Sequence, residues 1–391
     1  MTLPWPGRFA ATLFATVLAG CGGGSSDDAP AAQPRYLAPV AVVTALAFEQ
    51  VALGYNTSCM LSTASEAWCW GSNDWGQLGA VTTQTCAGGN VACSWQPVRA
   101  VAPLRLQALS AAQTHTCGLD AAGQAWCWGF GIGGQLGDGR SMNSRAAVAV
   151  AGNHTFVQID AGRSRLASCA LDAAGVAWCW GPSGGGALGN GTAAMANRPV
   201  QVLASQPFVS VGAGDQHACA LDATGQAWCW GANLNGTLGT GVPGPALRPA
   251  PVAGPIRFAS LVVGGVFNCG LTAAGAAWCW GSAGSLGVAS SQHRDVPVAV
   301  AGGLVFAGLS AGYQHACGLQ GDGTAWCWGP ADLLGGGAST ASADPVAVAG
   351  GHRFRRLTAG GIATCGLTLA GVPMCWGFND TGTVGQSNVN P

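Results

Sequence analysis

The chain is 391 residues long, has charged residues at only 8% of its positions and carries a formal net charge of −1. That is about a third of the usual charged share, and 15 Lys plus Arg against 16 acids offer no excess of cations to neutralise phosphates, which argues against DNA or RNA as a partner. Sixty-four Gly and 20 Pro imply many turns, whereas 49% hydrophobic content is far too apolar for a disordered chain; many short strands satisfy both.

In chain order, Arg8 supplies a positive charge, and Phe9 to Leu18 is an apolar run too short to span a bilayer. It leads into Leu18-Ala19-Gly20-Cys21, which resembles the lipobox of bacterial lipoproteins. The resemblance implies that residues 1–20 are a signal peptide and that Cys21 becomes the first mature residue, acylated on both sulfur and amine. Several acyl chains on one residue meet the requirement for stable anchoring, so the lipid bilayer is an expected partner. By resemblance to known sorting signals, Gly22 rather than Asp after the Cys implies the outer membrane in a Gram-negative cell. Residues 21–36, including Gly22 to Pro34 with no apolar period, read as a flexible tether.

From residue 37 to 391 the chain repeats. Trp-Cys-Trp-Gly occurs at 68–71, 126–129, 178–181, 228–231, 278–281 and 326–329, and Met374-Cys375-Trp376-Gly377 is a seventh copy. Successive central Cys residues lie 58, 52, 50, 50, 48 and 48 apart, and ten residues before each stands another: Cys59, Cys117, Cys169, Cys219, Cys269, Cys317 and Cys365. In the second copy Gly123 follows Asp120-Ala121-Ala122, the pattern of a three-residue hairpin loop closed by a left-handed Gly; only Ser65 departs from Gly at that place. Closing the loop with residues 120 and 124 pairs 119 with 125, 118 with 126 and 117 with 127. The last is a non-hydrogen-bonded pair with Cα atoms about 4.5 Å apart, within disulfide reach. The predicted bridges are therefore Cys59–Cys69, Cys117–Cys127, Cys169–Cys179, Cys219–Cys229, Cys269–Cys279, Cys317–Cys327 and Cys365–Cys375. The Trp stripe on the other face lies opposite small residues such as Gly118, Ala170 and Ala220, leaving room for packing between sheets.

Of 17 Cys, seven pairs and Cys21 leave Cys86 and Cys93, in the insertion that lengthens the first period; they read as an eighth disulfide. Such bridges need an oxidising envelope compartment, and a ten-residue spacing suits zinc poorly. His115, His217 and His315 stand two before the first Cys of copies two, four and six. Alternate units hold them apart without carboxylate partners, so buried rings bonded to backbone are expected, and neither a metal nor another cofactor. No Ser/His/Asp order, phosphate loop or paired acidic motif is present, and no catalytic residue is assigned.

Four short strands in roughly 50 residues, seven times over, is the arithmetic of an all-β, seven-bladed propeller. The consensus decides the type: Ser/Ala-Gly-x-x-His-x-Cys-x-Leu, then Gly-x-x-Trp-Cys-Trp-Gly, then Gly-x-Leu-Gly-x-Gly. It resembles the repeat of the regulator of chromosome condensation family over about residues 37–391. Its nuclear member promotes nucleotide exchange on a small GTPase and binds chromatin, an activity that does not carry over to an envelope lipoprotein. Its secreted bacterial relatives include an inhibitor that caps a β-lactamase with one propeller face. That implies a non-enzymatic module binding an unidentified envelope or extracellular protein through blade-edge loops. Candidates are Asn73, Asp74, Trp75 and Trp95 of blade one, the two Trp lying outside the packing motif. An envelope glycan is the alternative ligand, and a lyase or glycosidase with two acids facing across the channel the third reading.

One further expectation concerns closure. Seven Pro-Val or Ala-Val strands begin at Val40, Val98, Val148, Val200, Val252, Val298 and Val346, the first of them before the first hairpin. Full pairing requires Pro39 to Val42 to join the last blade, next to the strand around Gly382–Gln386.

Overall fold

A computed structural model describes residues 35–86, 89–163, 167–337 and 340–386. The signal segment, Cys21 and all but the last two residues of the tether lie outside them. The described chain forms seven antiparallel sheets, six of four strands and one of five. Blade two shows the unit: Ala108–Ala111, His115–Leu119, Ala125–Gly129 and Ser144–Ala149, paired in that sequence. The first strands of successive blades touch one another right round the ring, from Phe48–Leu53 through Phe354–Ala359 and back, so they line the axis.

Each hairpin has the expected register. Cys117 faces Cys127, Gly118 faces Trp126 and Thr116 faces Trp128. All eight disulfides are present, the seven hairpin pairs with Cα atoms 4.1 Å apart and Cys86–Cys93 at 5.9 Å. The Asp before the hairpin loop fixes it: Asp120 Oδ1 accepts from the N–H groups of Ala122 and Gln124, and Oδ2 from the Trp126 indole at 2.9 Å.

What joins blade to blade is the second Trp of the motif. Trp70, Trp128, Trp180, Trp230, Trp280, Trp328 and Trp376 are all fully buried. Each donates its indole N–H to the carbonyl just before the Leu-Gly of the preceding blade, as Trp128 does to Gln77 at 3.0 Å and Trp230 to Ala187 at 3.0 Å. The Gly of Leu-Gly is required there: Gly137 has φ +67, and a Cβ on it would sit 2.7 Å from the Trp180 indole nitrogen. Five of these carbonyls also accept a side-chain bond, from Ser58, Thr116, Ser168, Asn268 and Thr364 respectively. Ala218 and Ala316 have no donor for that place.

The three motif histidines are inter-blade struts rather than backbone-bonded rings. His115 Nε2 lies 2.8 Å from Ser168 Oγ, His217 Nε2 2.9 Å from Asn268 Oδ1, and His315 Nε2 2.7 Å from Thr364 Oγ1. In each pair the partner belongs to the next blade. Asn268 Nδ2 donates to Thr237 O, so its oxygen accepts and His217 carries its proton on Nε2. Burial lowers all three, His115 and His315 to about 3, and keeps them neutral.

The ring closes as a composite blade. Arg35–Ala41 pairs antiparallel with Pro373–Phe378 beside Ala363–Thr368 and Phe354–Ala359. Residues 39–41 do lie beside the last blade, but Val40 faces Cys375, so the strand partner is the motif strand and not residues 382–386. The reason is the repeat itself: in the other blades the fourth strand pairs with the Cys-bearing third, as Val148 does with Cys127. These valines stand near the ends of their strands, not at the beginnings. Segment 382–386 instead plays the Leu-Gly part. Thr383 O accepts from Trp70 of blade one at 2.9 Å, and Val42 packs over Gly385.

Candidate functional site: the loop face of blades one to four

The blade-one insertion is a ribbon. Gln84–Cys86 pairs with Val91–Arg99, which is also the blade's fourth strand, so the insertion becomes a fifth strand pinned by Cys86–Cys93. Asn73 is buried and does not present itself to a partner, contrary to the sequence expectation. Its Oδ1 accepts from Leu78 N–H at 3.1 Å, and its Nδ2 donates to Ala80 O and Thr82 Oγ1, both at 3.0 Å. An Asn in a turn ahead of Leu-Gly can brace the backbone locally, and here it does. Asp74 is exposed, with Oδ1 accepting from Ala92 N–H at 3.0 Å and so tying the turn to the insertion.

Trp75 is 38% exposed and lays one edge against Phe130 of blade two, ring centroids 4.9 Å apart. Trp95 is half-buried over Gly382 of blade seven, its backbone N–H donating to Gln84 Oε1 at 3.0 Å. The two Trp thus straddle the seams on either side of blade one, each packed on a neighbour with part of its surface left in solvent.

Further apolar residues on this face were not singled out by the motif reading. Ile132 is 56% and Leu234 59% exposed. They occupy the place of Asp74, four residues before the Leu of Leu-Gly. Met142, Met195 and Val242 are exposed in the same third-to-fourth-strand loops. Among the described residues, the corresponding loops of blades five to seven carry no exposed large hydrophobic side chain. The signal available in the sequence was a variable position inside a rigid frame: Asp74, Ile132, Gly184 and Leu234 vary where Leu-Gly does not.

The first-to-second-strand loops open on the same side, because antiparallel strands alternate direction, and they carry the axis mouth. Tyr55 and Tyr313 meet edge-on at 5.4 Å. Burial, with the Asp215 carboxylate next to it, raises the Tyr313 hydroxyl above the usual phenol range. Backbone bonds of 2.8–3.0 Å run from Asp215 to Gly265, Gly265 to Gly312, Tyr313 to Gly360 and Gly361 to Gly54, locking this rim. Among the described residues no three His, Cys, Asp or Glu side chains converge on one point. The geometry thus offers a rigid rim, polar at its centre, with apolar side chains standing out on one arc.

Residues 48–77 and 208–237, and separately residues 174–221, match the family described as the regulator of chromosome condensation (RCC1) repeat. The chain is 28% identical over 160 residues to the human E3 ubiquitin-protein ligase HERC2 and 30% identical over 175 residues to the human probable E3 ubiquitin-protein ligase HERC4. These stretches cover 40% and 43% of this chain but only 3% and 16% of those proteins. Among solved structures, human WBSCR16 superimposes with a TM-score of 0.75 at 19% identity, covering 90% of this chain and 92% of that one. Yeast RCC1 (Prp20), solved bound to Kap60, does so with a TM-score of 0.70 at 18% identity, over 87% and 81%. At such identities the likeness to solved structures is one of fold.

Proposed function

We propose that this chain, a seven-bladed propeller of regulator of chromosome condensation repeats, is a protein-binding module of a bacterial cell envelope. Lipid on Cys21 holds it to the membrane, and the loop face of blades one to four engages an envelope or extracellular protein. The observation that carries the reading is the arc of exposed apolar side chains, Trp75, Ile132, Met142 and Leu234, on a frame whose other large hydrophobics are mostly spent in the seams. Apolar side chains gathered on one face of a soluble domain mark interaction surfaces, and partly exposed Trp is typical of hot spots. The yeast propeller of the same architecture is solved with a protein, Kap60, bound to it, which supports the mode but not the partner. Eight disulfides support an oxidising compartment, and the Leu18-Ala19-Gly20-Cys21 string supports the anchor.

Two measurements test this. Affinity capture from envelope extract should return one dominant protein with the wild-type chain and lose it with the Ile132→Asp/Leu234→Asp variant. Equal capture by both chains removes the face from consideration. Cys21→Ser should abolish fatty-acid labelling and release the protein from membranes; membrane retention without labelling of the wild type contradicts the anchor.

A further inference from the structure

Between blades one and two lies an open groove of about 800 Å³. That volume is in the range of small-ligand sites. It is lined by Val81, Val101, Pro103, Leu104, Trp126 and Ala146, with Arg105 and Arg145 among its remaining residues. The repeat shows why it is open here. In blades three and four the third residue of the fourth strand is Arg198 or Arg248, and its guanidinium lies over Gly139 or Gly191 of the preceding blade. In this groove that Arg is Ala146, and the glycine is Val81. The residue two before the inner-strand Phe is His154 in the next groove, where it covers Trp178 at 4.1 Å; here it is Leu104. Val81 thus stands where blades two to four have Gly, and Ala146 where blades three and four have Arg, while Leu104, like Leu46, Ile256 and Leu304 elsewhere in the ring, completes the aliphatic lining.

Charge at the rim is one-sided. Arg105 and Arg99 share a single acid, each 3.0 Å from Glu66 Oε1, and Arg145 has no ion-pair partner among the described residues. Asp120 accepts from the Trp126 indole and two backbone N–H groups of its own turn. Asp120 thus engages the ring at its N–H edge, and Trp126 lends the groove apolar surface.

We propose that this groove is a binding site for a small amphipathic carboxylate. The apolar body lies on Trp126, Leu104 and Val81, and the carboxylate meets the Arg145 guanidinium, a charge-assisted pairing for which Arg is suited. Trp75, Ile132, Met142 and Leu234 do not line the groove, although Arg145 backs onto Gly76, the neighbour of Trp75.

Octanoate and octylammonium, equal in length and opposite in charge, are the probes, titrated calorimetrically into the Cys21→Ser chain so that no detergent competes. Octanoate should bind saturably at one site, and octylammonium at least tenfold more weakly. Ala146→Phe, which fills the groove with neutral volume, should weaken octanoate at least tenfold with an unchanged melting temperature. Arg145→Gln should close most of the gap between the two probes, and Ile132→Asp should leave octanoate binding as it was. Absence of saturable octanoate binding, equal binding of the two probes, or an Ala146→Phe chain that stays folded and binds like wild type overturns the proposal.

Discussion

Replacing the buried Trp by Phe should cost different amounts in blades whose Trp environments look alike. Trp128 and Trp230 are both fully buried and both donate at 3.0 Å to a carbonyl of the preceding blade. Phe removes the donor and a similar volume at either place, so the packing loss nearly cancels in a comparison. The carbonyls fare differently. Gln77 O keeps a bond from Thr116 Oγ1 at 2.9 Å, whereas the residue matching Thr116 in blade four is Ala218, opposite Trp230, and leaves the buried Ala187 O without a second side-chain donor. An unpaired buried acceptor costs about 1–3 kcal/mol. Trp230→Phe should therefore destabilise by about 1–2 kcal/mol more than Trp128→Phe. Adding Ala218→Ser to Trp230→Phe should return about 1 kcal/mol, because Ser58 makes the corresponding bond to Thr383 O at 2.7 Å. Urea unfolding at pH 7 with disulfides intact measures all three. Equal losses for the two Trp variants, or no recovery on adding Ala218→Ser, would refute the account of the seam carbonyl as a shared acceptor.

Acid should weaken the fold through the histidine struts. The unfolded chain takes up protons below about pH 6.5, while burial holds native His115 and His315 neutral down to about 3. Stability should therefore fall as pH drops through that window, with roughly 1.4 kcal/mol per pH unit from each ring, and His115→Gln should flatten the slope by about one proton in urea titrations at stepped pH. Deleting residues 35–42 should lower the melting temperature by several degrees or cause aggregation, since it bares the edge of Pro373–Phe378; deleting 24–34 should leave the melting temperature unchanged. Peptide mapping without reductant should find the eight local bridges, and replacing one hairpin pair by Ser should cost roughly 2–3 kcal/mol.

The hairpins were legible in the sequence because everything that fixes them is local: Asp120, Gly123 and the Cys117–Cys127 pair lie within one turn and two strands. The seams were only half legible. The pattern shows that Trp128 is packed but not what its indole N–H meets, because Gln77 lies 51 residues away and contributes a backbone atom, which has no side-chain identity to read. The same holds for His115, whose partner Ser168 is a residue of the next repeat with no distinctive pattern of its own. Closure was predicted in the right blade but one strand off, since counting strands fixes which blade lacks a member and register fixes its neighbour. Asn73 read as a surface residue because turns usually are, whereas its amide is consumed by the turn. The groove at Ala146 was not legible, because Val81, Trp126 and Ala146 come from two different repeats and meet only in space.

A photocrosslinking amino acid placed singly at 132, 234, 122 and 174 in the anchored protein, in intact envelopes, addresses the binding face directly. All four positions are exposed, the first two on the proposed face and the last two in hairpin loops at the opposite end of the blades. Positions 132 and 234 should yield one discrete adduct of the same mass, identified as one protein, with none from 122 and 174. Adducts from the hairpin loops alone, or no adduct from 132 and 234 while the chain remains folded and anchored, would contradict a partner on that face.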